Sequence, residues 1–163
     1  GRSGAKMMAV GAFWSRGKDD GKDADYWRNE VLRDWRQLAS PSVPEAIRAD
    51  RELVLKGVDV SRGRALRYAD EALRADSPFV LEASARSMGQ ALEHAHKDLQ
   101  ASPDFILAAM KQQATALRFA AKALRGDRGF LQEAVQQRTV ALQFASPELR
   151  ADPEVVLEAV KRD

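Results

Sequence analysis

Two histidines and a small set of carboxylates are the side chains of this sequence that could support chemistry. His94 and His96 are the only histidines and are two residues apart. On a helix this spacing places them on different sides, and a metal ion needs further converging ligands, so a shared metal site is disfavoured. The sequence is repetitive, and the positions that correspond to His94 in other repeats are aromatic; they are Tyr68, Phe119 and Phe144. We therefore interpret His94 as a packed, neutral imidazole.

The carboxylates Asp70, Glu71 and Glu82 are expected on helix surfaces, where no candidate nucleophile or base accompanies them. The sequence contains no Gly-rich phosphate loop. It also contains no cysteine, which excludes a disulfide framework, a thiolate metal site and a cysteine nucleophile. We therefore expect a protein that is not an enzyme and that has no catalytic residues, cofactors or metal ions.

The composition favours one helical domain. The chain has 163 residues, of which 45% are hydrophobic, 31% charged and 7% aromatic, and its abundance of Ala, Leu and Arg favours helices. Its longest apolar stretch, residues 7–14, falls far short of the roughly 20 residues that a membrane-spanning helix needs. We predict no transmembrane segment.

The positive charge of the chain is small and lies near its beginning. Residues 1–40 contain eight Lys and Arg against six Asp and Glu, whereas residues 41–163 contain eighteen of each kind. Strong binding to phosphates needs a clustered excess of Lys and Arg, so nucleic acid is an unlikely partner. An alternative hypothesis is association with nucleic acid or the ribosome, which requires Arg64, Arg67 and Arg118 to lie on one continuous face.

The first 48 residues differ from the rest of the chain. Residues 1–24 show no sustained period and are predicted to be an irregular arm. The apolar residues of this arm could bind a neighbouring protein or fold back onto the first helices; the candidates are Met7, Met8, Phe13 and Trp14. Residues 25–48 are predicted to be a capping helix, which ends near Ser40, followed by a connector.

The remaining chain is an internal repeat. Its units are residues 49–74, 75–100, 101–125, 126–150 and a partial 151–163. In each unit, apolar and small residues recur three and four positions apart in two segments, which predicts two short helices. One such hairpin cannot bury both of its faces, so neighbouring units must stack. We predict an all-α fold, an α-solenoid of tandem helical hairpins of 25–26 residues.

Each unit begins with a residue type that caps helices. The predicted caps are Asp50, Asp76 or Ser77, Ser102, Asp127 and Asp152. Arginines precede them at the end of the second predicted helix, where a positive charge suits the helix dipole and could reach the cap carboxylate; these are Arg48, Arg74, Arg125 and Arg150. A ladder of these arginines that binds an anionic partner is the alternative.

The repeat resembles a known family of short helical repeats. The stretches that carry the resemblance are ADRELVLKGV, RALRYADEALRAD and VALQFASPELRADPEVVLEAV, which fit the pattern DREVVLxAVxxxxxALxxAxxxLR. The family is a domain of unknown function, and each of its domains spans about two units. The resemblance implies a helical repeat without an established activity, so it implies no catalytic residues.

The partial last unit suggests what the protein does. It has no second helix, so Val155, Val156 and Val160 are expected to need cover from another protein or from further repeats. We therefore interpret the chain as a non-catalytic scaffold for protein–protein interaction, an accessory subunit of a larger assembly. The chain begins at Gly1 without an initiator Met. This fits removal of a targeting peptide, which favours a plastid or mitochondrial complex over the cytoplasm, but it also fits a fragment of a longer chain.

Overall fold

The computed structural model describes residues 22–161, and these residues contain helices and no strands, which confirms the all-α prediction. Each complete unit, and also residues 24–48, has a main α-helix, a 3₁₀ helix and a short α-helix, whereas the partial last unit has only a main helix. The main helices are α1 (Ala24–Arg33), α3 (Arg51–Ser61), α5 (Ser77–Arg86), α7 (Pro103–Gln112), α9 (Arg128–Gln137) and α11 (Pro153–Val160). The 3₁₀ helices are η1 (Trp35–Ala39), η2 (Arg64–Tyr68), η3 (Gln90–His94), η4 (Ala116–Phe119) and η5 (Thr139–Phe144). The short helices are α2 (Glu45–Arg48), α4 (Glu71–Ala75), α6 (Lys97–Gln100), α8 (Lys122–Arg125) and α10 (Pro147–Arg150). Among the residues described, no helix is long and apolar enough to span a membrane.

The second helix predicted in each unit is not continuous. An alanine in extended conformation separates the 3₁₀ helix from the short helix; these alanines are Ala69, Ala95, Ala120 and Ala145. Because of this break, the backbone amide of the residue after each alanine can donate a hydrogen bond to the preceding unit. The amides of Asp70, His96, Ala121 and Ser146 donate to the carbonyls of Arg48, Arg74, Gln100 and Arg125 over 2.8–3.0 Å. We call these four bonds the backbone ladder.

The predicted capping helix is also divided. It ends at Arg33 rather than near Ser40, because Asp34 has an extended backbone and its carboxylate accepts the amide proton of Arg36, which starts η1. Trp27 and Val31 point into the core. Residues 24–48 thus have the same order of helices as the units that follow.

Units contact each other in sequence. Each main helix packs against the next main helix, and each 3₁₀ helix packs against the next 3₁₀ helix. We call residues at equivalent positions of successive units a column. The core contains columns of large residues from the main helices, such as Val54, Val80, Ile106 and Leu131, and from the 3₁₀ helices, such as Leu66, Leu92 and Leu117. A column of small residues lets the main helix and the 3₁₀ helix of one unit approach each other closely. At Gly57 an added Cβ would lie 2.9 Å from Ala65 Cβ. The elongated, curved shape of a solenoid stays a prediction.

Turns after the main helices explain why the period changes from 26 to 25 residues. In the first two units the turn contains two residues with positive φ, Arg62–Gly63 and Met88–Gly89. In the next two units a single extended residue, Gln113 or Arg138, connects the main helix to the rest of the unit. The turn therefore absorbs the difference of one residue.

The predicted caps form at each main helix of the repeat. Oxygen atoms of Asp50, Asp76, Ser102, Asp127 and Asp152 accept the amide proton of the residue three positions later. The arginines that reach these carboxylates are not the predicted ones, because the guanidinium groups of Arg28, Arg51 and Arg128 lie 2.5, 2.7 and 3.6 Å from Asp50, Asp76 and Asp152.

Replacement of Asp76 tests one of these caps. Asp76→Ala removes the bond to the Phe79 amide and the contact with Arg51, and we expect it to lower the free energy of unfolding by about 1 kcal/mol. Ser77→Ala is the control, because Ser77 is the first helical residue and not the cap. Urea unfolding followed by circular dichroism measures both. An equal loss for Ser77→Ala would show that the cap is assigned to the wrong residue.

The contribution of Asp76 also depends on pH. The Phe79 amide, followed by Arg51, lowers the pKa of Asp76. A carboxylate whose pKa is lower in the folded state stabilises the fold above its unfolded pKa, and that stabilisation is lost as the pH falls through its folded pKa. The difference between the wild-type chain and Asp76→Ala should therefore shrink below about pH 3.9.

Candidate functional site

The apolar residues proposed to bind a partner are only in part accessible. Met7, Met8, Phe13 and Trp14 lie outside the described residues. Val155 is 1% exposed and belongs to the core, which corrects the expectation that it needs cover, and Val156 is half-buried. Val160 is 65% exposed, although the equivalent Val58, Ser84, Met110 and Val135 are fully buried. The apolar surface at this end therefore consists of Val160 with Leu157, which is also exposed.

His94 occupies the packed position that was predicted. Its ring is half-buried, and burial is the main cause of its lowered pKa. Arg67, Arg64 and Arg74 lower this pKa further, while Glu93 opposes them. A lowered pKa favours the neutral imidazole.

His96 has a separate structural role. Its Nδ1 caps α6 by accepting the amide proton of Asp98 over 3.3 Å, and its Nε2 lies 3.1 Å from Glu71 Oε1. Within residues 22–161 no group of three or more His, Cys, Asp or Glu residues could hold a metal ion.

The three carboxylates considered for acid–base chemistry have structural partners. Asp70 caps α4 through the amide of Ala72, and Glu82 contacts Arg86 over 2.9 Å. Glu71 contacts His96. None of these arrangements places a carboxylate beside a nucleophile.

Two neighbouring cavities lie along the 3₁₀ helices and short helices. Their volumes are about 420 and 490 Å³. Arg67 and Glu71 line both cavities, so the two are adjacent, and we call them together the groove. Equivalent residues occupy equivalent places: Arg48, Tyr68 and Asp70 line the first cavity, whereas Arg74, His94 and His96 line the second. The groove is therefore formed in the same way at two successive unit boundaries.

The long side chains of one column are held at the groove by partial burial. The Nε atoms of Arg48, Arg74 and Arg125 are buried and have no hydrogen-bond partner. In the same column, the side-chain amide of Gln100 donates to the carbonyls of Leu92 and Glu93 over 2.9 and 3.2 Å. Sequence reasoning assigned these arginines to helix ends and missed that Arg48 and Arg74 line the groove.

A column of half-buried rings lies next to these side chains. It contains Tyr68, His94, Phe119 and Phe144. Arg67 lies over the Tyr68 ring at 5.9 Å, and Arg118 lies over the Phe119 ring at 4.8 Å. Large rings that are partly exposed beside arginine are common anchors in protein interfaces. The repeated aromatic column is the signal in the sequence from which the groove could have been inferred.

The arginines needed for nucleic-acid binding do not form a continuous face. The column of Arg67 and Arg118 also contains Glu93 between them and Gln143 after them. The column of Arg64 contains Gln90, Thr115 and Val140 in the next units. A carboxylate therefore interrupts the positive charge that a phosphate backbone would need.

A third cavity, of about 630 Å³, lies beside the turns that contain Arg62 and Met88. One of its arginines is paired, because the guanidinium group of Arg86 lies 3.1 Å from Asp59 and 2.9 Å from Glu82. Arg62, Arg64 and Glu93 also line this cavity. This cavity lies at turns with positive φ that the third and fourth units lack, whereas the groove is lined by equivalent residues of successive units.

Comparison with known proteins identifies a family-level match. The family model described as "Domain of unknown function (DUF4116)" matches residues 50–100 and 127–163. No curated protein and no solved structure matches the chain. The matched stretches contain the first two units of the repeat, the fourth unit and the partial fifth.

Proposed function

The chain belongs to the DUF4116 family, a domain of unknown function, and on that premise we propose that it is a non-catalytic scaffold that binds another protein in the groove. The observation that carries this proposal is the presence of adjacent cavities at consecutive units, with Arg67 and Glu71 shared by the two. A depression that extends over several repeats suits an extended partner better than a small molecule.

The backbone ladder supports this proposal because it fixes the spacing of the units before a partner binds. In the four complete units of the repeat, the N-cap residue of each short helix donates its amide proton to the unit before it. A surface that is already ordered loses little conformational entropy on binding, which favours affinity. Such a scaffold would serve as an accessory subunit, since it positions a partner without acting on it.

Site-specific photocrosslinking tests the proposal. A photoreactive residue would replace Arg67 or Lys97, which are exposed at the groove, and Val60 or Lys111, which are exposed on main helices. In an extract of the source organism, we expect the two groove positions to crosslink to the same protein and the two control positions not to do so.

Three outcomes would refute the scaffold. The first is equal crosslinking from groove and control positions, which would show that the groove is not a preferred site. The second is the absence of crosslinks from the groove positions. The third is crosslinks to nucleic acid instead of protein, which would support the alternative function.

A further inference from the structure

We infer that the surface along the 3₁₀ helices and short helices of the second, third and fourth units of the repeat binds an extended acidic peptide. This surface continues beyond the two cavities, because the backbone ladder stacks the short helices of successive units, and we call it the later part of the groove. This inference rests on the proposed function and specifies its ligand. It follows from three features of the described residues, which are the change of charge along the groove, the distance between units and the aromatic column.

The charge along the groove changes from acidic to basic at one of its columns. Glu45 and Glu71 occupy one position in the first part of the groove, and Lys97 and Lys122 occupy the equivalent position in the later units. At a second position the charge alternates, with Arg67, Glu93 and Arg118 in successive units. Together with the arginine column, the later part presents five cationic side chains, which are Lys97, Arg118, Lys122, Arg125 and Arg150. Within residues 22–161 none of the five forms a salt bridge.

Carboxylates near these cations interact with other groups. Asp98 Oδ2 lies 3.4 Å from Nδ1 of His96. The pKa of Glu148 is lowered by its own backbone amide and then by the Ser146 hydroxyl, with a smaller effect of Lys122. The cations of the later groove are therefore available to a ligand with negative charge.

The distance between units matches the residue spacing of an extended chain. Packed helices are about 8–10 Å apart, and an extended peptide advances about 3.3 Å per residue. One unit therefore corresponds to about three peptide residues. A peptide with Asp or Glu at every third position would place successive carboxylates near successive cations, while apolar residues between them could contact Phe119 and Phe144, which are half-buried.

A peptide fits this charge distribution better than a nucleic acid does. A phosphate backbone carries a negative charge at every nucleotide, and binding requires cations along its whole path. Glu45, Asp70, Glu71 and Glu93 lie along the first part of the groove, where they would repel a longer phosphate backbone. A short acidic peptide can end before this part.

Fluorescence anisotropy with labelled nonapeptides tests the inference on the full chain. The first peptide has Glu at every third position with apolar and small residues between; the second has the same composition with its Glu residues adjacent; the third has Lys in place of Glu. We expect the first to bind tightest and the third not to bind. Binding of the first should weaken as salt rises from about 50 to 200 mM.

The repeat itself supplies variants that should fold. Arg118→Glu and Lys122→Glu introduce the residue that the same columns carry at Glu93 and Glu71, and Arg125→Gln introduces the residue found at Gln100. We expect the double variant Arg118→Glu/Lys122→Glu to weaken binding of the first peptide by at least about tenfold and Arg125→Gln by a few fold, as removal of charge pairs does in other interfaces. Lys111→Glu, an exposed change outside the groove in a column that also contains Asp59, should change the affinity less than about twofold.

Several results would overturn the inference. They are a first peptide that binds no better than the Lys peptide, an equal loss of binding in Lys111→Glu, and an oligouridylate that binds more tightly than the first peptide with the same dependence on Arg118 and Lys122. If the peptide fails while crosslinks to a protein stay confined to the groove, the ligand class is wrong and the scaffold function stands. Should a double variant unfold, Arg125→Gln alone decides whether the groove carries the binding.

Discussion

Gly63→Ala is expected to lower the free energy of unfolding by about 3 kcal/mol or more. Gly63 has a φ of +91°, a conformation in which a side chain costs about 1–2 kcal/mol. An added Cβ would also lie 2.7 Å from the backbone nitrogen of Ala91, in the next unit. Because backbone atoms cannot move aside as a flexible side chain can, the clash adds roughly another 1–3 kcal/mol.

Two other glycines separate the contributions of strain and clash. Gly89 has a φ of +85°, but an added Cβ there would meet only side-chain atoms of Gln113, at 3.5 Å or more. Gly89→Ala should therefore cost about 1–2 kcal/mol, for strain alone. Gly126 has an ordinary negative φ, and an added Cβ would lie 3.6 Å from its nearest neighbours, the carbonyl oxygens of Lys122 and Ala123. Gly126→Ala should therefore be neutral or stabilise the fold by up to about 1 kcal/mol.

Urea unfolding at fixed temperature measures this series. The order of the losses is the test, with Gly63→Ala first, Gly89→Ala second and Gly126→Ala last. Equal losses at Gly63 and Gly89 would mean that the two units do not approach each other as closely as the structure shows.

Leu117→Ala should be nearly as costly, with a loss of about 2–5 kcal/mol. Leu117 is completely buried in the core, and removal of a buried isobutyl group costs its transfer free energy and leaves a cavity. Leu142 holds the equivalent position in the next unit but is only partly buried, so Leu142→Ala should cost less. Leu157 is 53% exposed on α11, and Leu157→Ala should change stability by less than about 0.5 kcal/mol.

Thermal and urea unfolding of the three leucine variants give the comparison. Because repeat arrays can unfold in stages, the slope of the urea transition must be compared with that of the wild-type chain before free energies are assigned. A loss at Leu157 as large as that at Leu117 would contradict the exposed position of Leu157 on α11.

Local patterns in the sequence predicted the main helices well. Cap residues such as Asp50 and Asp127 lie where the helices begin, and the small column at Gly57, Ala83, Ala109 and Ala134 is buried as expected. These features depend on neighbours within a few positions, so periodicity and capping preferences are sufficient to find them. The resemblance to a helical-repeat domain of unknown function is confirmed by the family match.

The break in the second predicted helix could not be found in the same way. Its apolar spacing continues through Ala69 and Ala120 as if one helix were present. Asp70 and Ser146 are cap residue types and give a local hint, but Ala121 gives none and still begins a separate helix. The common cause is a bond to the unit before, a non-local contact that residue spacing within one unit does not encode.

The groove was missed for a related reason. Periodicity separates buried from exposed positions but does not show which exposed positions from different units become neighbours. Arg48 and Arg74 were interpreted as residues at helix ends, yet both line the groove. Their shared surroundings depend on how consecutive units stack.

The backbone ladder has a consequence for how such a repeat can diverge after duplication. Since the ladder uses only main-chain atoms, Asp70, His96, Ala121 and Ser146 can differ completely in side-chain chemistry while the unit-to-unit distance is kept. Proline alone is unsuited, because it has no amide proton to donate. Pro44 is the one proline in this column. It belongs to residues 24–48, before which the structure describes no unit. Copies can therefore acquire different side chains along the groove without loss of register.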